Sequence, residues 1–272
     1  MAGDATTATV GRRARRRRGP GVAGVLGEIL ITAGVVVLLY VVWQLWVGDW
    51  IYGAQNNAAG NEISQEWDQT EPPLPTMKPI DPSETPAPGA PPVMAEPADA
   101  EVFGVMRIPR FGADYATKIA GGVSRARTLD HIGIGHYPGT QMPGEMGNFA
   151  LAAHRTTWGA PFALIADLKV GDAIVVETPL GWYTYRFRTL EYVTPQEVDV
   201  LRPVPQAPEL AANDRYITLT SCSPRFSLAE RIVAYGVFES FQPRDDGPPA
   251  SLSEPLMAEA STSVTMLANG VR

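Results

Sequence analysis

The sequence has one cysteine, Cys222, in 272 residues. A lone thiol excludes any internal disulfide, so it is explained either by packing or by chemistry. Histidine is also scarce. His131, His136 and His154 are the three present, and none has a carboxylate or cysteine at ligand spacing, so the chain shows no metal signature. Basic charge is thin outside the N-terminus. Residues 99–242 hold 15 acidic and 13 basic side chains, which shows no basic face and gives nucleic-acid binding no support.

What the chain does have is strongly segregated. Arg12, Arg13 and Arg15 to Arg18 form a basic block, and residues 29–47 then run apolar without a charge, extended on the N-terminal side past the single Glu28 by residues 21–26. Nineteen residues at about 1.5 Å each approach the roughly 30 Å hydrocarbon thickness of a bilayer. A signal peptide also begins basic and turns apolar, but its apolar stretch is shorter and a small-x-small cleavage site should follow. Trp43, Trp46, Trp50 and Tyr52 suit an interfacial aromatic belt. The expectation is an uncleaved single-pass anchor over 21–48 in the plasma membrane. Residues 1–20 are then cytoplasmic under the positive-inside rule, and everything beyond is extracellular.

Proline appears ten times between Glu71 and Pro97. That density removes backbone donors and favours extended polyproline II segments. Residues 49–98 are therefore expected to be a stalk, with a short polar helix over 49–68 as one option. Residues 243–272, rich in Asp, Pro, Ser and Ala, read as a disordered tail.

The folded unit is expected over 99–242. Period-two patterns bounded by Gly, Pro, Asp or Asn predict strands over 102–108, 114–119, 148–153, 172–178, 182–192, 216–220 and 231–239. Short helices are expected over 161–167 and 124–129. The class is all-β, mainly β with short helices, and periodicity leaves a closed barrel and a sandwich both open.

Cys222 follows the strand pattern YITLT, which Ser223-Pro224 ends. A cysteine nucleophile needs a base, an acid for the leaving group and a donor for the oxyanion. His154 follows the apolar strand FALAA, and Arg231 opens the strand after the Cys222 loop, where a hairpin could bring it opposite the thiol. Each also has a plain reading: a buried cysteine, a strand-end histidine, a solvated arginine. His136, in GHYPG, reads as a turn residue.

Together these segments resemble a family. TLTSC at 218–222 followed by Arg231, with LAAHRTTWGAPF at 151–162, is similar to the sortases, membrane-anchored cysteine transpeptidases of Gram-positive bacteria. The longer stretch GIGHYPGTQMPGEMGNFALAAHRTTWGAPF at 133–162 resembles their class E branch of actinobacteria. The resemblance implies a closed eight-stranded β-barrel with Cys222 as nucleophile, His154 as general acid and base, and Arg231 as the group that binds the substrate carbonyl or oxyanion. It implies cleavage after Thr of an LAXTG- or LPXTG-like C-terminal sorting signal on a secreted protein, through a thioacyl intermediate resolved by a cell-wall precursor amine. Tyr137, Thr220 and Ser221 would contact substrate, and no cofactor or metal is implied. Two positions depart from the family pattern: Ser221 stands where many sortases have threonine, and Ser223 where class E relatives often have histidine. Two other functions compete, namely an inactive barrel displayed as a binding module and an exported cysteine transpeptidase that crosslinks peptidoglycan directly.

Overall fold

In the computed structural model, residues 21–43, 48–69, 75–79 and 89–253 are described. The arginine block, Trp46, Val47, much of the proline-rich stretch and the tail beyond 253 lie outside them. The chain divides into two compact units, Met1–Gln44 and Leu45–Arg272.

Among its described residues the first unit contains one helix, α1 (Val22–Val42), 21 residues long and apolar enough to cross a membrane. None of its residues is buried. It starts seven residues before the charge-free run at Ile29 and includes Glu28, whose carbonyl accepts a bond from the Thr32 hydroxyl at 2.8 Å.

The second unit is a closed barrel. Its strands are β1 (Val102–Arg107), β2 (Thr117–Gly121), β3 (Ile134–His136), β4 (Gly147–Ala153), β5 (Ala173–Thr178), β6 (Gly181–Val193), β7 (Arg215–Ser223) and β8 (Glu230–Pro243). Around the barrel they run β1-β2-β3-β4-β7-β8-β6-β5. β2 with β3 and β4 with β7 are parallel, and the other pairs are antiparallel. Closure leaves no free sheet edge. Inward residues from every strand, among them Met106, Ile119, Ile134, Phe149, Leu151, Ile174, Tyr185, Ile217 and Ile232, fill one core. β4 is buried along its whole length, which is why it reads as a continuous apolar run and not as an alternation.

Several sequence expectations are corrected. β3 was not foreseen, because a three-residue strand inside HIGIGH looks like a glycine-rich turn. His136 is accordingly the last residue of a strand and fully buried, not a turn residue. The helix expected over 161–167 is only the 3-10 turn Ile165–Asp167, whereas the short helix expected over 124–129 is present as the π-turn Arg125–Leu129. Cys222 lies inside β7, one residue short of its end.

The stretch expected as the start of a stalk behaves differently. Residues Gly48–Gln69 form helix α2, which packs on the barrel. Its hydropathic signal is weak because polar side chains do much of the docking. Asn57 accepts the Ala116 amide at 3.2 Å, Asn61 accepts Arg107 at 2.9 Å, and Ser64 donates to Glu177 at 2.5 Å. Gly60 lies so close to the Ala116 carbonyl that a Cβ there would collide with it. Trp67 is buried beside Val105 and Ala116. Residues 243–253, expected as the start of a disordered tail, are folded and include two 3-10 turns. Arg244 binds Glu177 at 2.9 Å, pairs with Asp68, and stacks on Trp67 and Trp182 with its guanidinium carbon 5.4 and 4.8 Å from the ring centroids. Glu177, 1% exposed, is also bound by Arg107 at 2.6 Å. A buried carboxylate needs such partners, and these draw α2 and the C-terminal turn onto the barrel.

Candidate active site

Three neighbouring strands build the site at one rim. β4 and β7 run parallel with Leu151 opposite Leu219 and Ala152 opposite Thr220. His154 directly follows the end of β4, Cys222 lies two places beyond Thr220 in β7, and both line the same groove. The Ser221 hydroxyl, which donates to the Ala153 carbonyl at 2.7 Å, ties the strands together at this point. On the other side of β7, Cys222 pairs directly with Arg231 of β8. Successive Cβ atoms point to opposite faces of a strand, and directly paired residues share a face, so thiol and guanidinium lie on the same side.

A groove of about 530 Å³ runs over this rim. Cys222, His154, Arg231, Tyr137, Thr220 and Ser221 all line it, so all six residues expected from the sequence come together. Arg125 and Arg155 add positive charge to the walls, and Val123, Leu129, Phe226 and Leu228 add apolar surface. Phe226 and Leu228 are 68% and 69% exposed. Such a surface suits an extended peptide with an apolar side chain and backbone carbonyls.

Cys222 is partly exposed. The Nε2 of His154 lies 2.7 Å from Oδ1 of Asp130, with both side chains largely buried. Asp130 was missed in the sequence. It stands 24 residues before His154, and only the crossover between parallel β2 and β3 carries it to the same rim. Arg231 donates Nη1 to the carbonyls of Leu228 and Glu230 at 3.2 and 2.9 Å, which steadies one edge of its guanidinium.

The Tyr137 hydroxyl lies 2.9 Å from the Thr220 hydroxyl, which also donates to the Leu151 carbonyl at 3.2 Å. Burial is the main cause that raises the Tyr137 pKa, with nearby Arg231 acting against it, so this hydroxyl keeps its proton near neutral pH. The hydroxyls of Thr220 and Ser221 are thus committed to the backbone of β4. His136, just before Tyr137, faces inward. Its Nε2 meets the Gln141 carbonyl and the Thr140 hydroxyl, each at 3.0 Å, and its ring stacks on Phe149 at 5.4 Å. Burial pushes its pKa down.

Among the described residues no group of three or more His, Cys, Asp or Glu side chains is gathered as a metal site. In the loop between β6 and β7, Glu197 accepts the Thr194 amide at 2.5 Å and Asp199 faces Arg202 at 3.5 Å.

A family profile described as the sortase domain matches residues 106–239. Sortase SrtE1 of Streptomyces coelicolor is 37% identical over 251 residues, a match covering 89% of this chain and 65% of that protein. Sortase SrtE2 of the same organism is 32% identical over 84% of this chain and 88% of its own length. The chain belongs to the sortase family. The fold agrees: a crystal structure of sortase E1 from Streptomyces coelicolor, with a tripeptide in its active site, is 37% identical and superposes with a TM-score of 0.53, covering 57% of this chain and 99% of that one. Sortases are transpeptidases, and the closed eight-stranded barrel with few helices is the family's architecture.

Proposed function

We propose that this sortase cleaves an LAXTG- or LPXTG-like sorting signal after Thr and joins the freed carboxyl end to a cell-wall amine. The Cys222 thiolate attacks the threonine carbonyl carbon, and a C–S bond forms as the C–N bond to glycine breaks. His154 gives the departing amine its proton. In the second half the wall amine passes a proton to His154 as its nitrogen attacks the thioester; a new C–N bond forms, and thiolate leaves. With Nε2 held by Asp130, Nδ1 is the nitrogen that exchanges the proton, and the carboxylate fixes that tautomer. Arg231 donates to the carbonyl oxygen as negative charge develops on it. Tyr137, Thr220 and Ser221 line the channel for the signal's residues on either side of the scissile bond.

The observation that supports this reading is one peptide-sized groove lined by a thiol, an imidazole bound to a carboxylate, and the guanidinium that pairs in register with the thiol. The tripeptide in the active site of sortase E1 supports a peptide as the substrate class. Helix α1, apolar and long enough to cross a bilayer, supports an anchor, and the arginine block that precedes it in sequence supports an N-terminus in the cytoplasm with the catalytic unit outside. The test is to incubate the full-length protein with LAXTG and LPXTG peptides and a trial amine. Cleavage with transfer to the amine is expected; an enzyme that leaves both peptides whole while binding them would be a binding module.

A further inference from the structure

The loop that follows His154 is gripped from outside the barrel. Residues Thr157, Trp158, Gly159 and Ala160 all have positive φ, at 67, 53, 79 and 43°. Three of these carry a Cβ, and such backbone persists only where its surroundings over-determine it. Within the loop, the Ala160 amide bonds the Thr157 carbonyl at 2.8 Å. Much of the remaining constraint comes from the first turns of α2. Asp49 Oδ2 accepts the Thr157 amide at 2.9 Å, and Asn56 Nδ2 donates to the Trp158 carbonyl at 3.3 Å. The Tyr52 ring lies 5.9 Å from Trp158, whose other neighbour is the His131 ring at 5.7 Å. Gly159 touches the helix backbone itself: a Cβ there would stand 2.9 Å from Gly53 N and 3.0 Å from the Tyr52 carbonyl carbon.

This loop is also a wall of the groove. Arg155, Thr156 and Thr157 line it beside His154 and Cys222. The loop's far end returns to the histidine, since the Phe162 amide bonds the His154 carbonyl at 3.0 Å. Any shift of 157–159 is therefore felt at both the backbone of His154 and the channel.

We infer that α2 is a positioning element of the active site: by holding residues 157–159 it fixes the His154 loop in its working shape. Asp49, which acts through the Thr157 amide, is its principal positioning residue. The inference rests on the proposed role of His154 as acid and base. In sequence α2 follows α1 after five residues, so the segment that leads into the catalytic unit also completes its site.

Full-length Asp49→Ala, Asp49→Asn and Ser64→Ala proteins test this. The last loosens α2 near its other end, where Ser64 bonds Glu177. Two readouts are needed: kcat and KM for cleavage of a sorting-signal peptide, and the rate of Cys222 alkylation by iodoacetamide as a function of pH, which requires no peptide. D49A is expected to lower kcat about tenfold with KM changed by no more than about twofold, and to displace the alkylation profile. D49N keeps an oxygen acceptor and restores both readouts. S64A leaves both unchanged while lowering the melting temperature. The inference is overturned if D49A matches the wild type in both readouts, or if S64A reproduces its losses, which would make α2 a stabilising element only. Should the wild-type protein cleave no sorting-signal peptide, the proposed function fails, and the alkylation profile still decides the role of Asp49.

Discussion

The imidazole of His154 and the carboxylate of Asp130 meet at 2.7 Å, joined across 24 residues by the crossover between two parallel strands. This contact gives the histidine a fixed tautomer and a fixed ring plane, and both matter only if the ring moves protons. Asp130→Asn is therefore expected to lower kcat by roughly 10- to 100-fold with little change in KM. Thermal unfolding should stay close to wild type. Steady-state kinetics at several pH values check this, and an unchanged kcat would remove Asp130 from the mechanism.

Arg231 is the register partner of Cys222, and its planar fork presents N–H donors in a fixed direction that a lysine ammonium does not share. Arg231→Lys keeps the charge and loses that geometry. We expect kcat/KM for peptide cleavage to fall by about 100-fold, in line with the loss of an oxyanion donor. Full activity in the lysine variant would mean that charge alone suffices.

His136 makes the folded state sensitive to acid. Burial holds its folded pKa below the ordinary value of 6.5, whereas the unfolded chain takes up a proton near that value. Stability is thus fully present above the unfolded pKa and declines as pH falls through it, by up to about 1.4 kcal/mol per pH unit until the folded group also titrates. Urea melts between about pH 7.5 and 5.5, above the range of ordinary carboxylates, should show this slope. His136→Gln should flatten it, and an equal slope in the variant would assign the effect elsewhere.

The cluster around Glu177 ties α2 and the C-terminal turn to the barrel. Arg244→Ala removes one of its two cationic partners along with the stacking on Trp67 and Trp182. A loss of about 3 kcal/mol is expected from leaving a buried carboxylate under-paired. Denaturant midpoints measure it, and a change within about 0.5 kcal/mol, as for an ordinary surface site, would contradict it.

Much of this was legible in the sequence, for identifiable reasons. Strands such as β4 and β7 carry their signal in unbroken apolar or β-branched runs, and TLTSC, LAAH and Arg231 bring their chemistry with them. β3 was hidden because three residues with a glycine at their centre have no period to read. Helix α2 was open to reading as a polar helix over 49–68, but its docking was hidden because Asn57, Asn61 and Ser64 hold it by hydrogen bonds where an apolar stripe would have announced it. Asp130 was hidden because its partnership with His154 exists only once β2 and β3 are laid parallel.

Intact-protein mass spectrometry on the full chain mixed with an LAXTG peptide, quenched in acid, bears most directly on the thiol. The account predicts an adduct equal in mass to the acyl part of the peptide, carried by Cys222, released by an added amine and absent from Cys222→Ala. Cleavage that continues in the alanine variant, or turnover in the wild type with no adduct on Cys222 at any time point, would contradict it.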